Sequence, residues 1–219
     1  MDLDVAWIAD HLDELGLRTL QHFGLAALAV AVGFGISLGL SIGATRARVT
    51  LVPLLTLAGI LYTIPSLAMF AALVPITGLS LFTAEVPLVL YTLLIFMRNT
   101  VAGLDGVPAD VLEAADGMGY PARARLLRVE LPLAIPLIAA GVRLASVSTI
   151  GLVTISGILG DRYGGLGFFI FEGYRRTFPT EIFAGAIPSV VLAIAVDRLL
   201  VAAGRRLTPW ARPSAGPER

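Results

Sequence analysis

Five stretches of the chain are almost wholly apolar: residues 22–42, 51–74, 86–104, 133–159 and 182–201. Each approaches or exceeds the roughly 20 residues that a helix needs to cross a bilayer. The pattern predicts an all-α integral membrane protein, a single domain over residues 1–219 with about five transmembrane helices in contact with membrane lipid. In the first stretch Gly35, Gly39 and Gly43 recur at every fourth position, a spacing that lets helix backbones approach closely in lipid. In the second, Pro65 removes a backbone donor and predicts a kink. Irregular backbone at membrane depth must face protein or water, which makes Tyr62, Thr63, Pro65 and Ser66 candidates for lining a path.

The polar interruption at residues 106–132 carries a pattern of its own. Val111, Leu112, Ala114, Ala115 and Met118 offer an apolar surface of small and medium side chains, suited to insertion as a short helix into a partner's groove. Gly117, Gly119 and Pro121 break that helix. Leu126, Leu127 and Val129 stand among Arg123, Arg125 and Arg128 in a second segment, and Pro132 marks entry into the next span. The expected order is helix, sharp turn, helix, membrane.

Composition agrees with a membrane solvent: 57% of residues are hydrophobic and 15% charged, with a mean hydropathy of +0.85. All 16 basic residues are arginine, balanced by 16 acids, so bulk charge gives no reason to expect nucleic-acid binding. Their placement across five spans is uneven. Arg46, Arg48, Arg98, Arg123, Arg125, Arg128, Arg143, Arg198, Arg205, Arg206, Arg212 and Arg219 fall on one side, and only Arg18, Arg162, Arg175 and Arg176 on the other. The positive-inside rule then puts the 106–132 loop and the C-terminus in the cytoplasm and the N-terminus outside. Asp2, Asp4, Asp10, Asp13 and Glu14 precede the first arginine, unlike the basic start of a signal peptide, so targeting is expected to use the spans. Trp7, Ile8, His11, Leu12 and Leu15 fit either a helix lying on the membrane or an ordinary lead-in helix. The tail after Arg206 is rich in proline and small residues and is expected to be poorly ordered.

Arg98 and Arg143 lie in or near spans, where snorkelling to the interface is favoured over a role in the path, and Asp197 with Arg198 reads as a structural or interfacial pair. Between Gly160 and Glu181, glycines mix with aromatic and charged residues, which fits an external gate or a plain solvated loop.

The polar segment also carries a spaced set: Glu113-Ala114-Ala115, Gly119, Val129 and Leu131-Pro132. That set resembles the signature of permease subunits of binding-protein-dependent ABC importers, with valine where isoleucine is usual. Further pieces resemble the osmoprotectant branch, whose cargo is glycine betaine, choline or carnitine. They include Thr63-Ile64-Pro65-Ser66-Leu67-Ala68, Arg98-Asn99-Thr100, Gly117-Met118-Gly119 and Gly164-Gly165-Leu166-Gly167. Related importers of methionine or sulfonates share the architecture. The resemblance implies a type I importer permease fold in a prokaryotic cell membrane. Its implied partners are two cytoplasmic ATPase subunits, a second permease, identical or paralogous, and an extracytoplasmic binding protein. Glu113, Ala114, Ala115, Gly117, Gly119, Leu131 and Pro132 would couple the chain to the ATPase. Glu113 would either pair with a partner arginine or meet the dipole at a helix start.

A quaternary ammonium lacks donors on nitrogen and favours aromatic faces, of which Tyr62, Phe70, Tyr91, Phe96, Phe168, Phe169, Phe171 and Tyr174 are available; packing or interfacial roles are expected for most. Without lysine the chain has no phosphate-cradling Gly-Lys-Ser or Gly-Lys-Thr loop, so ATP is expected to be used by a partner, with no cofactor bound here. With no cysteine and only His11 and His22, no metal centre or hydrolytic site is expected and the chain reads as non-catalytic. An ion-coupled secondary transporter would place carboxylates near the midplane, whereas Glu85 and Asp197 lie towards span ends.

Overall fold

The computed structural model describes residues 3–211; Asp2, Arg212, Arg219 and the C-terminal tail lie outside the described residues. In chain order the helices are α1 (Val5–Asp10), α2 (Leu12–Arg46), α3 (Leu51–Thr63), α4 (Ser66–Thr77), α5 (Leu81–Asp105), α6 (Ala109–Gly117), α7 (Ala122–Arg125), α8 (Leu131–Val153), α9 (Gly167–Arg175) and α10 (Pro179–Leu207). Among the described residues there is no strand.

Helix α5 is the axis of the bundle, because it is buried on most of its circumference while α2, α4 and α8 pack around it. The largest core cluster joins Leu25, Ala26 and Ala29 of α2, Phe70 of α4, Ala84 and Leu88 of α5, and Ile150 and Val153 of α8. Small residues set how closely the helices approach. A Cβ added to Gly141 of α8 would lie 2.7 Å from the Asn99 Cβ of α5, and one on Gly103 of α5 would lie 3.0 Å from the Ala134 Cβ of α8.

The packing stripe of α2 differs from the expected one. A Cβ added at Gly35, Gly39 or Gly43 would meet nothing within 4 Å, whereas Gly33 abuts Thr92 and Ser37 donates to the Leu93 carbonyl at 3.4 Å. Ala29, Gly33, Ser37 and Ser41 repeat every fourth residue and are the stripe that faces inward.

The second apolar stretch is two helices meeting at 90° instead of one kinked helix. Ile64 and Pro65 are both extended, with ψ 128°, so the chain leaves the helix before Pro65 and re-enters at Ser66. The fourth span is longer than expected. Helix α7 continues through a π-helical turn, Leu126–Glu130, directly into α8, making a rod over Ala122–Leu159 of 38 residues, about 57 Å at 1.5 Å per residue. The π turn sits where Pro132 cannot donate to the Arg128 carbonyl and its ring crowds that oxygen. The Leu131 N–H bonds instead to the Leu126 carbonyl, five residues back.

At the other end of the bundle, α1 packs on protein. Trp7 stacks on His11 at 4.0 Å and meets the edges of Phe169 and Phe178 at 6.1 and 5.5 Å. Helix α1 thus seats its aromatic side on the chain itself, with Val5 and, at the start of α2, Leu12 left exposed. The 160–181 segment contains α9, which packs on α10, and it is a built part of the fold instead of a solvated loop.

Candidate functional site

The spaced set at Glu113–Pro132 folds as one braced element. Helix α6 begins after Pro108, its last helical residue is Gly117, and the chain turns away at Gly119. There φ is +78°, the Gly119 N–H reaches the Asp116 carbonyl at 2.9 Å, and the Tyr120 N–H reaches the Ala115 carbonyl at 3.1 Å. This Schellman end needs a left-handed residue, which is the reason for glycine at 119. Gly117, two positions earlier, is exposed with nothing within 4 Å of a side chain placed there.

The expected apolar docking face divides in two. Ala115 is 1% exposed and seats α6 on its own chain, while Glu113, Ala114, Gly117 and Met118 face outward, Met118 being 70% exposed. Ala115 is thus covered by its own chain, and the outward face is carried by its neighbours. Glu113 lies past the first turn of α6, where Asp110 is the acidic residue, so the helix-start role falls to Asp110. Glu113 makes no ion pair among the described residues.

Arginines that read only as charge in the sequence brace this element. Arg125 bridges Asp116 at 2.5 Å and Glu130 at 2.9 Å, tying α6 to the base of the rod. Arg46 at the end of α2 donates to the Ala122 carbonyl at 3.0 Å, and Arg48 grips Asp105 with two bonds of 3.0 and 2.7 Å. Leu131 joins Leu104, Leu126 and Ala134 in a cluster beneath the element, and Pro132 sits half-buried at the start of α8. The sequence signal for the arginine clamp was the acid content of the same segment, Asp116 and Glu130.

The second candidate surface is the break between α3 and α4. Tyr62, Thr63 and Pro65 are exposed and Ser66 half-buried. The Ile64 carbonyl, released from helical bonding, accepts the Tyr91 hydroxyl of α5. Tyr62 packs edge-on against Tyr91 with centroids 5.6 Å apart. The other aromatic candidates divide as expected: Phe70, Phe96 and Phe169 are at most 1% exposed and serve packing. Arg98 is exposed. Arg143 pairs with Asp197, joining α8 to α10, so Asp197 takes Arg143 and not its neighbour Arg198.

His22, which no sequence pattern singles out, organises the end opposite α6. It is fully buried; its Nδ1 accepts the Leu166 N–H at 3.2 Å and its Nε2 lies 2.9 Å from the Ile150 carbonyl. Because Nδ1 accepts, the ring proton resides on Nε2. The Ile150 carbonyl is free because the Thr154 N–H turns to Gly151 and Leu152 where α8 tightens into a 3₁₀ turn.

Comparisons with known proteins bear on the chain as a whole. The family model described as "Binding-protein-dependent transport system inner membrane component" matches residues 31–209. The choline transport system permease protein OpuBB of Bacillus subtilis (strain 168) is 36% identical, over 90% of this chain and 89% of that protein. The glycine betaine/carnitine/choline transport system permease protein OpuCB of the same strain is 35% identical, with the same coverage. The carnitine transport permease protein OpuCB of Listeria monocytogenes is 35% identical over 96% of each chain. Among solved structures, an inward-facing form of the MetNI methionine ABC transporter matches with a TM-score of 0.73 and 21% identity, over 97% of this chain and 100% of that one. That likeness establishes the type I importer permease fold.

Proposed function

The chain belongs to the family of inner membrane components of binding-protein-dependent transport systems, and from that premise we propose that it forms half of the path by which an ABC importer takes up a quaternary-ammonium osmoprotectant. As a multi-pass membrane permease it is a non-catalytic subunit. Glycine betaine, choline or carnitine is the proposed cargo, supported by the names of relatives that match over nearly the whole chain.

The observation that carries the mechanism is the braced Glu113–Pro132 element at the foot of a single rod. A cytoplasmic ATPase grips the outward face of α6 through Glu113, Ala114, Gly117 and Met118. Because Arg125 and the Schellman turn hold α6 to the rod, displacement of α6 on ATP binding passes along α8 to the far end of the bundle. The cost of the change is met by the differential affinity of the ATPase for the two conformations, which is the only way such an equilibrium shifts. The element faces the cytoplasm, with the N-terminus outside, as the arginine distribution supports. A second permease covers the break at Tyr62–Ser66, whose exposed irregular backbone is unsuited to lipid. An extracytoplasmic binding protein delivers the cargo at the opposite end.

The test is uptake of radiolabelled choline, glycine betaine, carnitine and methionine in cells expressing the permease with a cognate ATPase and binding protein. Uptake of one of the first three, abolished by Glu113→Ala together with loss of ATPase co-purification, is expected. Methionine uptake alone would overturn the cargo, and uptake without any ATPase would overturn the mechanism.

A further inference from the structure

At the end of the bundle opposite α6, a shallow cavity of about 220 Å³ lies where α2, the start of α5 and the 160–163 loop meet. Its wall includes Gln21, Leu25, Leu28, Leu81, Glu85 and Tyr163. Glu85 is 8% exposed, and neither of its carboxylate oxygens has a hydrogen-bond partner among the described residues. The Gln21 Oε1 is likewise buried and unpartnered, since the amide spends its NH₂ on the Arg162 carbonyl. Three acceptor oxygens without donors among the described residues thus belong to two side chains of one cavity wall. A buried carboxyl without a partner is costly unless it is neutralised or meets a donor.

The rim supplies the opposite charge. Arg162 lines the same cavity, its guanidinium lies 5.6 Å from the Tyr163 ring centroid, and it pairs with no carboxylate among the described residues. Arg162 and Gln21 also border an adjoining groove of about 660 Å³, with Leu17 and Leu20 on an apolar side, Arg18 held in its pair with Glu14, and Asp161 beside Arg162. Leu20, Leu28 and Leu81 are exposed along this surface, as befits side chains against acyl chains. The arrangement is a largely apolar recess with Glu85 and Gln21 in its wall, Arg162 at its rim and an apolar flank, at the end of membrane-spanning helices.

We propose that this cavity is a specific site for a zwitterionic phospholipid bearing a primary ammonium, of the phosphatidylethanolamine type. The ammonium donates to Glu85 and Gln21, the phosphate meets Arg162, and an acyl chain lies along the leucines. Three N–H donors suit three orphan acceptors, whereas a quaternary ammonium has none to give. The proposal requires only that the chain spans the membrane, and is independent of which solute it carries.

The full chain with its co-purifying subunits, in mild detergent, is offered phosphatidylethanolamine, phosphatidylcholine and phosphatidylglycerol at equal concentration, and retained lipid is read by native mass spectrometry. Phosphatidylethanolamine retained about tenfold over phosphatidylcholine, and reduced about tenfold by the isosteric Glu85→Gln, is expected. Arg162→Gln, an exposed change that leaves the fold intact, should lower retention of phosphatidylethanolamine as well. Equal retention of the two zwitterionic lipids, or retention unchanged in Glu85→Gln, would overturn the proposal. So would phosphatidylglycerol binding best, which marks a plain anion site, or displacement of the lipid by millimolar choline, which marks a solute subsite.

Discussion

Gly117 and Gly119 stand two positions apart and do different work. Gly119 has φ +78°, so a β-branched residue there is strained by about 1–2 kcal/mol or more whatever surrounds it. Gly117 has ordinary φ and open space, so a side chain there burdens only a partner. Gly117→Leu is therefore expected to leave the thermal midpoint in detergent unchanged while abolishing ATPase co-purification. Gly119→Val should lower both, and Gly117→Leu retaining its ATPase would remove Gly117 from the docking face. His22 carries the same kind of decision at the other end. Replacing it by Phe leaves the Leu166 N–H and the Ile150 carbonyl buried without partners, at about 1–3 kcal/mol each. A clear fall in thermal midpoint, measured by intrinsic fluorescence, is the expected outcome.

Among the elements, the contrast between the two stripes of α2 yields a paired measurement. Gly33→Leu drives a side chain into Thr92 of α5, whereas Gly35→Leu enters open space within the chain. Overpacking of this sort costs about 1–3 kcal/mol, so only the first variant should lose expression and thermal stability. The break between α3 and α4 depends on Tyr91, whose hydroxyl satisfies the carbonyl freed at Ile64. Tyr91→Phe orphans that carbonyl and is expected to cost about 1–3 kcal/mol unless water reaches it. The rod through α7 and α8 is the element most altered from expectation. Pro132 reads as a boundary, yet the backbone absorbs the missing donor in a π turn and carries on.

For the whole molecule, α10 and the α3–α4 break are the parts least covered by the chain itself, and they call for different neighbours. Leu199 lies on a regular apolar helix face and suits lipid, whereas Thr63 lies beside broken backbone and suits a water-filled path. Since the chain has no cysteine, single Thr63→Cys and Leu199→Cys variants report on this cleanly. A membrane-impermeant maleimide is expected to label the first in the assembled transporter and spare the second; equal labelling would remove the break from the path. Much of this was legible in the sequence, because membrane insertion depends on runs of apolar residues, and because the Glu113–Pro132 set stands at the spacing of a family signature. Local steric rules likewise determined that Gly119 turns and that the second stretch bends. Tertiary structure alone decided which face of α2 packs, since two stripes shared one period and differed only in what stood opposite. It also decided that Ala115 faces inward, that Arg143 finds its acid across 54 residues, and that Glu85 finds no partner among the described residues. Those outcomes depend on which side chains distant segments bring together, and no local pattern encodes that geometry.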